Sequence, residues 1–231
     1  MSDSIGTLYG VSVGPGDPEL ITVKAKNTLE RCRVLAVPVT HKNSSLALDI
    51  VCKMMDISGK ETLPLLFPMT TDQTELSSHY NANAVRIEEV LTNGVDVAFA
   101  CLGDVSVFST FAYIAEILKA RDYPVVMIPG VTSFCACACA LGISLTAADQ
   151  PLHIIPGSFY AIGEELKLSG TKVLMKSGSQ FSKIRDTVAS SGQAACAAVD
   201  CGLDSEHLYP NITDMPDDPG YFTTIIVKEQ P

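Results

Sequence analysis

The chain has 231 residues, of which 47% are hydrophobic and 18% are charged, so it can bury a substantial core and disorder is not expected. Its formal net charge of −10 argues against nucleic acid as the main partner. No apolar run reaches the roughly 20 residues that a membrane-spanning helix needs. The first residues lack a basic segment followed by an apolar one, so we expect no membrane partner and a cytoplasmic location.

Near the start of the chain, an apolar, β-prone run from Leu8 to Val13 leads into a glycine-rich turn, Gly14-Pro15-Gly16. Glycine adopts backbone angles that a Cβ forbids, and proline fixes its own φ. Asp17 is a favourable N-cap, and Pro18 suits the first position of a helix. The stretch therefore predicts a strand, a tight turn and a helix. Glu19 stands where a dinucleotide fingerprint has its third glycine, and no Walker sequence follows, so these residues alone favour a structural turn over a nucleotide loop.

The later elements alternate between strands and helices. Strands are predicted at 33–39, 61–67, 95–101, 125–128, 151–156, 171–176, 194–199 and 221–227, and helices at 44–55, 74–91, 107–119, 132–141 and 181–190. Such alternation in the first half indicates an open parallel sheet, and the continuous apolar run at 95–101 suits a strand buried on both faces. A polar segment at 120–124 predicts a boundary between one domain at 1–120 and a second, with its own sheet, at 121–231.

The ends of three predicted strands carry residues suited to ligand binding. They are Leu102-Gly103-Asp104, the segment from Pro129 to Ser133, and Leu174-Met175-Lys176. Ligands of open parallel sheets bind beyond the carboxyl ends of the strands. A glycine there admits a ligand close to the backbone, a carboxylate accepts hydrogen bonds from an amine or a ribose, and threonine or serine offers donors.

The cysteines and histidines show no spacing typical of metal ligands. Cys135, Cys137 and Cys139 alternate with alanines, and Cys135 and Cys139 would share one face of a helix. Because free cysteine packs as a small hydrophobic residue, we interpret them as helix-packing residues and expect no metal bound by the protein.

The string G-P-G-D-P-x-L-x-T-x-K-A at 14–25 resembles the opening signature of the tetrapyrrole (corrin/porphyrin) methylases, S-adenosylmethionine-dependent enzymes of cobalamin and sirohaem synthesis. Two later motifs follow in the family's order. Gly103-Asp104-Val105 stands where relatives often have G-D-P, and 129–133 matches P-G-x-[ST]-[ST]. The resemblance implies an α/β protein of two αβα domains with an active-site cleft between them. It places the tetrapyrrole on the side of the first domain and much of the cofactor pocket in the second.

The resemblance also implies site residues. The implied S-adenosylmethionine contacts are Pro38, Gly103, Asp104, Val107, Thr132, Ser133, Met175, Cys201, Thr223 and Thr224. The implied substrate contacts are Gly14, Pro15, Gly16, Asp17, Lys24 and Lys42. Asp104 is the first catalytic candidate, either as the base that removes the displaced proton or as a charge that favours the sulfonium. Tyr221 and Lys176 are further candidates for steering or proton handling.

Three short stretches narrow the resemblance within the family: Val37-Pro38-Val39, Gly103-Asp104-Val105-Ser106 and the turn Asp200-Cys201-Gly202. They make the chain most similar to the C-20-methyltransferases that act on precorrin-2 or its cobalt form. Basic residues cluster in the first sixty positions and between Lys167 and Arg185. These clusters fit either solvated helix faces or a positive lining for an anionic tetrapyrrole. Two alternatives stay open: the same fold acting on another precorrin, on uroporphyrinogen III or on rRNA, and a non-catalytic nucleotide-binding module. The resemblance further implies a homodimer.

Overall fold

The chain forms two compact units, Met1–Thr132 and Ser133–Pro231. The structure is a computed structural model and describes residues 5–40, 44–147, 149–157, 162–177 and 180–229. Sequence reasoning placed the boundary after residue 120, whereas the division falls after Thr132. The reason is that the strand Val125–Ile128 pairs with the first strand of the chain and therefore belongs to the first unit.

The first unit contains a five-stranded parallel sheet. Its strands are β1 (Leu8–Ser12), β2 (Val34–Val39), β3 (Glu61–Leu66), β4 (Val97–Cys101) and β5 (Val125–Ile128), and its α-helices are α1 (Val23–Arg31), α2 (Leu46–Met54), α3 (Gln73–Thr92) and α4 (Phe111–Lys119). The strand order is β3-β2-β4-β1-β5, and every pairing between neighbours is parallel. The predicted α/β class and open parallel sheet are confirmed.

Two hydrophobic clusters cover the two faces of this sheet. Phe99 on β4 packs in the cluster that includes α3 and α4 residues, and the neighbouring Ala98 and Ala100 pack in the cluster that includes α1 and α2 residues. This alternation follows from the period of two along a strand. All five β4 residues are buried, as the continuous apolar run predicted. With both faces covered, the loops at the strand ends are where this unit can bind a ligand.

Two helices of the first unit begin later than predicted. After the glycine turn, Pro18–Leu20 forms only a single 3-10 turn, and Ile21 is extended. The helix α1 then starts behind Thr22, whose Oγ1 accepts a hydrogen bond from the amide of Ala25 at 3.1 Å. Two favourable caps thus compete, and the second begins the longer helix. Likewise, α4 begins at Phe111 rather than at 107.

The second unit contains a separate five-stranded mixed sheet. Its strands are β6 (Leu152–Pro156), β7 (Thr171–Met175), β8 (Ala194–Val199), β9 (His207–Tyr209) and β10 (Thr223–Lys228), and its α-helices are α5 (Ser133–Ala140) and α6 (Phe181–Ser191). The order is β6-β7-β10-β8-β9, in which only the β6–β7 pairing is parallel. Sequence reasoning missed β9, because three residues are too few to show an alternating pattern. No described helix is long and apolar enough to cross a membrane.

Candidate functional site

Two glycine-containing loops meet at the carboxyl edge of the first sheet. Gly14 follows β1 and Gly103 follows β4, and the two residues form an isolated antiparallel bridge. The amide of Gly103 donates to the carbonyl of Gly14 at 2.7 Å, and the amide of Gly14 donates to the carbonyl of Gly103 at 3.3 Å. Both have positive φ, +76° and +71°, which glycine adopts without strain. The loop predicted to bind substrate therefore lies against one predicted to bind cofactor.

Asp104 joins the loop after β4 to the loop after β5. Its side chain is only 7% exposed. Oδ1 accepts hydrogen bonds from the amide of Ser106 at 2.8 Å and from the Ser106 hydroxyl, and Oδ2 accepts one from the amide of Gly130 at 2.7 Å. Both carboxylate oxygens are thus used in holding the backbone at the edge of the sheet.

The same contacts decide the charge of Asp104. Burial raises the pKa of this carboxyl, but the hydrogen bonds from Ser106 and Gly130 outweigh burial and bring its pKa below the ordinary value. A carboxylate with a depressed pKa is a weak base at neutral pH. Of the two roles considered for Asp104, the geometry favours a fixed negative charge over removal of a proton.

Ser12, the last residue of β1, is a site residue that sequence reasoning missed. It is completely buried. Its Oγ donates a hydrogen bond to the carbonyl of Ile128 at 2.8 Å and accepts one from the amide of Val105 at 2.8 Å. One hydroxyl therefore links the ends of β1 and β5 and the loop after β4. The available signal was a lone polar residue inside an apolar strand.

Gly130 lies where no larger residue fits. A Cβ added there would lie 2.4 Å from the Cβ of Ser12 and 3.4 Å from the carbonyl oxygen of Gly103. Close approach, rather than backbone conformation, is what requires glycine here. We use the name loop clamp for a set of contacts made by Ser12, Asp104 and Gly130. It consists of the two hydrogen bonds of the Ser12 hydroxyl, the hydrogen bond from the amide of Gly130 to Asp104, and the close approach of Gly130 to Ser12.

The remaining predicted residues of the first unit lie near these loops or on α1. Pro38 is at the penultimate position of β2, and Val107 donates its amide to the carbonyl of Asp104 at 3.2 Å. Asp17 accepts a hydrogen bond from the amide of Glu19, so it caps the 3-10 turn. Pro15 and Gly16 are buried in the turn after β1, Lys24 is exposed near the start of α1, and Lys42 lies outside the described residues.

Thr132 ends the loop after β5. Its Oγ1 is buried, and no hydrogen-bond partner for it occurs in the described part of the chain. A buried hydroxyl without a partner is costly unless a ligand or water bonds to it. The next residue, Ser133, is the first of α5.

In the second unit, Met175 and Lys176 lie at the carboxyl end of β7. The carbonyl of Met175 accepts a hydrogen bond from the amide of Gly157 at 2.8 Å. Lys176 has φ +56°, and burial lowers the pKa of its amine. The neighbouring Ser177 is fully buried, and its Oγ has no partner among the described residues. Tyr221, by contrast, is 54% exposed.

Cys201 and Thr224, two of the predicted cofactor contacts, form a buried cluster with Cys137 of α5. Hydrogen bonds from Cys201 and Thr224 lower the pKa of the Cys137 thiol, although burial acts in the opposite direction. The hydrogen bond between the two thiols raises the pKa of Cys201. Thr223, the first residue of β10, donates its hydroxyl to the carbonyl of Gly220 at 2.8 Å. No group of three or more possible metal ligands occurs among the residues that were described.

In the basic cluster between Lys167 and Arg185, three side chains bond to groups of the second unit. Lys167 pairs with Glu164 at 2.6 Å, and Arg185 pairs with Asp217 at 2.8 Å. Lys172 is 1% exposed, and its Nζ donates to the side chain of Gln193 at 3.1 Å. These contacts favour a structural role for the three residues over a positive lining for a substrate.

The first unit thus has the arrangement typical of ligand-binding parallel sheets. Its loop glycines, its fixed carboxylate and the buried threonine hydroxyl all lie at the carboxyl edge of the sheet. Residues 7–215 match the family described as Tetrapyrrole (Corrin/Porphyrin) Methylases. The chain belongs to this family, and it is a methyltransferase.

Curated relatives match almost the whole chain. It is 32% identical over 234 residues to the cobalt-precorrin-2 C(20)-methyltransferase of Salmonella typhimurium, covering 97% of each chain. It is 31% identical over 242 residues to the precorrin-2 C(20)-methyltransferase of a Sinorhizobium species, covering 98% of each chain.

Solved structures share the fold at lower identity. A cobalt precorrin-4 methyltransferase has a TM-score of 0.71 at 20% identity, with 96% of this chain and 94% of that chain covered. A uroporphyrin-III C-methyltransferase from Thermus thermophilus, solved in complex with S-adenosylhomocysteine, has a TM-score of 0.67 at 19% identity, with 97% and 98% covered. These likenesses support the fold.

Proposed function

We propose that this chain transfers a methyl group from S-adenosylmethionine to C-20 of precorrin-2 or its cobalt-containing form, in cobalamin biosynthesis. The observation that carries the proposal is the match, over 97% and 98% of the chain, to two relatives named for methylation at C-20. One of them is named for the cobalt-containing substrate and the other for precorrin-2, so both forms are proposed as substrates to be compared.

The residues at the edge of the first sheet fit S-adenosylmethionine chemically. A Cβ placed on Gly103 would meet no atom within 4 Å, so open space lies over its backbone. The buried Thr132 hydroxyl lacks a partner within the described residues and can bond to a polar ligand atom. The carboxylate of Asp104 supplies negative charge, which suits a cationic sulfonium.

We propose Gly103, Asp104 and Thr132 of the first unit as cofactor contacts, together with Met175, Thr224 and the other residues that the family resemblance implies. When bound, S-adenosylmethionine supplies an electrophilic methyl group, which is the difficult part of the chemistry. The contribution of the protein is then to bind and orient the two reactants. The bridge between Gly14 and Gly103 serves this purpose by holding the substrate loop against the cofactor loop.

The proposed substrate is an anionic tetrapyrrole, and neither nucleic acid nor a membrane is proposed as a partner. Lys24 is the described candidate for binding its carboxylate arms in the first unit, because it is exposed and follows the glycine turn. The cytoplasmic location and the homodimer stay predictions; light scattering on the purified protein tests the second.

The experiment is a methylation assay read by mass spectrometry. Purified protein and S-adenosylmethionine are supplied with metal-free precorrin-2 and, in parallel, with cobalt-factor II. We expect one added methyl group on at least one of them, and the faster substrate identifies the branch of the pathway. Cofactor binding without product on either substrate would contradict the C-20 assignment and indicate another methyl acceptor. Absence of cofactor binding would contradict the proposed use of S-adenosylmethionine.

A further inference from the structure

The loop clamp joins three strand ends that are distant in sequence. Ser12 Oγ spans from the carbonyl of Ile128 to the amide of Val105, with both distances 2.8 Å. Asp104 adds a further link, because its Oδ2 accepts a hydrogen bond from the amide of Gly130 at 2.7 Å. Because the loop after β4 and the loop after β5 both carry proposed cofactor contacts, the spacing between them decides whether one ligand can bond to both.

The Ser12 hydroxyl meets the loop after β4 at two residues: it accepts a hydrogen bond from the amide of Val105, and it helps to lower the pKa of the Asp104 carboxyl. The residue is completely buried, so water does not compete for its Oγ. It donates to the last residue of β5 and accepts from the loop after β4, so removing the hydroxyl leaves the amide of Val105 without its partner. A buried amide without a partner is costly, and a small shift of its loop relieves that cost.

We propose that Ser12 is a positioning residue for cofactor binding: it contacts no reactant but sets the distance between Gly103-Asp104 and the segment from Gly130 to Thr132. Given the proposed use of S-adenosylmethionine, loss of the Ser12 hydroxyl weakens cofactor binding beyond what the loss of stability alone would cause. The backbone approach of Gly130 supports this, because a Cβ there would lie 2.4 Å from the Cβ of Ser12. The loops are packed together with no slack at this point.

The chain offers a matched control in Thr28. It is 3% exposed, and its Oγ1 donates a 2.8 Å hydrogen bond to the carbonyl of Lys24 within α1. Thr28→Val and Ser12→Ala each delete one buried hydroxyl with little other change in shape. Both should lower stability, but only Ser12 lies between the two loops.

The experiment measures the affinity for S-adenosylhomocysteine by calorimetry and the exchange of the Val105 and Gly130 amides by NMR. For Ser12→Ala we expect about five- to tenfold weaker binding and faster exchange at both amides, since one hydrogen bond contributes about 1 kcal/mol. Thr28→Val should bind as the wild type does.

Two outcomes would overturn the positioning role, and they differ from failure of the proposed function. If Ser12→Ala loses stability as Thr28→Val does but binds S-adenosylhomocysteine with unchanged affinity, Ser12 is only structural. If Ser12→Ala binds S-adenosylhomocysteine more weakly but the exchange of the Val105 and Gly130 amides is unchanged, the hydroxyl contacts are not what positions the loops. If the wild-type chain itself does not bind S-adenosylhomocysteine, the proposed function fails, and the positioning role fails with it.

Discussion

Gly130 approaches Ser12 closely at the candidate site, and the substitution Gly130→Ala tests this packing. The new Cβ would lie 2.4 Å from the Cβ of Ser12, about 1 Å inside ordinary contact. Ser12 cannot yield by rotating, because its Cβ is fixed by the β1 backbone. The loop after β5 must therefore move, and overpacking of this kind costs about 1–3 kcal/mol. Movement also weakens the bond from Gly130 to the carboxylate of Asp104, worth about 1.5–3 kcal/mol.

We therefore expect Gly130→Ala to lower the free energy of unfolding by about 2–5 kcal/mol. Urea denaturation followed by circular dichroism measures the loss. Gly142→Ala is the control, because Gly142 also lies in a loop, has φ +68° and has open space at its Cβ position. Only backbone strain of about 1–2 kcal/mol is expected there.

A second substitution separates steric conflict from general damage to the loop. Ser12→Gly removes the Cβ that the new methyl group would strike, so the double variant Ser12→Gly/Gly130→Ala should lose less stability than the two single losses added together, by at least about 1 kcal/mol. Strict additivity would refute the packing argument. So would a Gly130→Ala loss no larger than that of Gly142→Ala.

Three further predictions concern the charge of Asp104, an ion pair and the hydrophobic core. Because the folded-state pKa of Asp104 is lowered, the stability advantage of the wild type over Asp104→Asn should be full above about pH 4 and shrink as pH falls further; an advantage equal at pH 7 and pH 3 in urea titrations would contradict this. Arg121→Ala should cost about 0.5–1 kcal/mol, because the partly buried pair with Glu88 at 2.6 Å is lost, whereas Lys167→Ala, at an exposed pair, should cost almost nothing in the same assay. Phe111→Ala should cost about 3–5 kcal/mol in urea titrations, since the ring is fully buried, and a loss below about 1 kcal/mol would be inconsistent with that packing.

Local signals predicted most elements of both units. The continuous apolar run at 95–101 contains β4, all of whose residues are buried. The helix at 181–190 corresponds to α6, which ends at Gly192 in the left-handed conformation, as a glycine C-cap predicts. Such elements were readable because burial periodicity and capping act over a few neighbouring residues.

Elements that depend on distant partners were assigned less well. The strand at 125–128 was predicted correctly but placed in the second domain, whereas it pairs with β1. The short β9 exists because it pairs with β8, and its own three residues carry no strand pattern. The late start of α1 reflects a choice between two caps, Asp17 and Thr22, which local propensity did not resolve.

The sequence by itself determined the family, the α/β class and the loops that form the candidate site, because the glycines and caps of those loops are local requirements of the turns. Only the tertiary structure decided what the residues of the loop clamp do. Ser12 bonds to a carbonyl 116 residues away and to an amide 93 residues away, and Asp104 bonds to an amide 26 residues away. No periodicity or spacing encodes contacts over such separations. They arise only when the parallel strands bring their carboxyl ends to one edge, where a buried hydroxyl and a buried carboxylate must find partners.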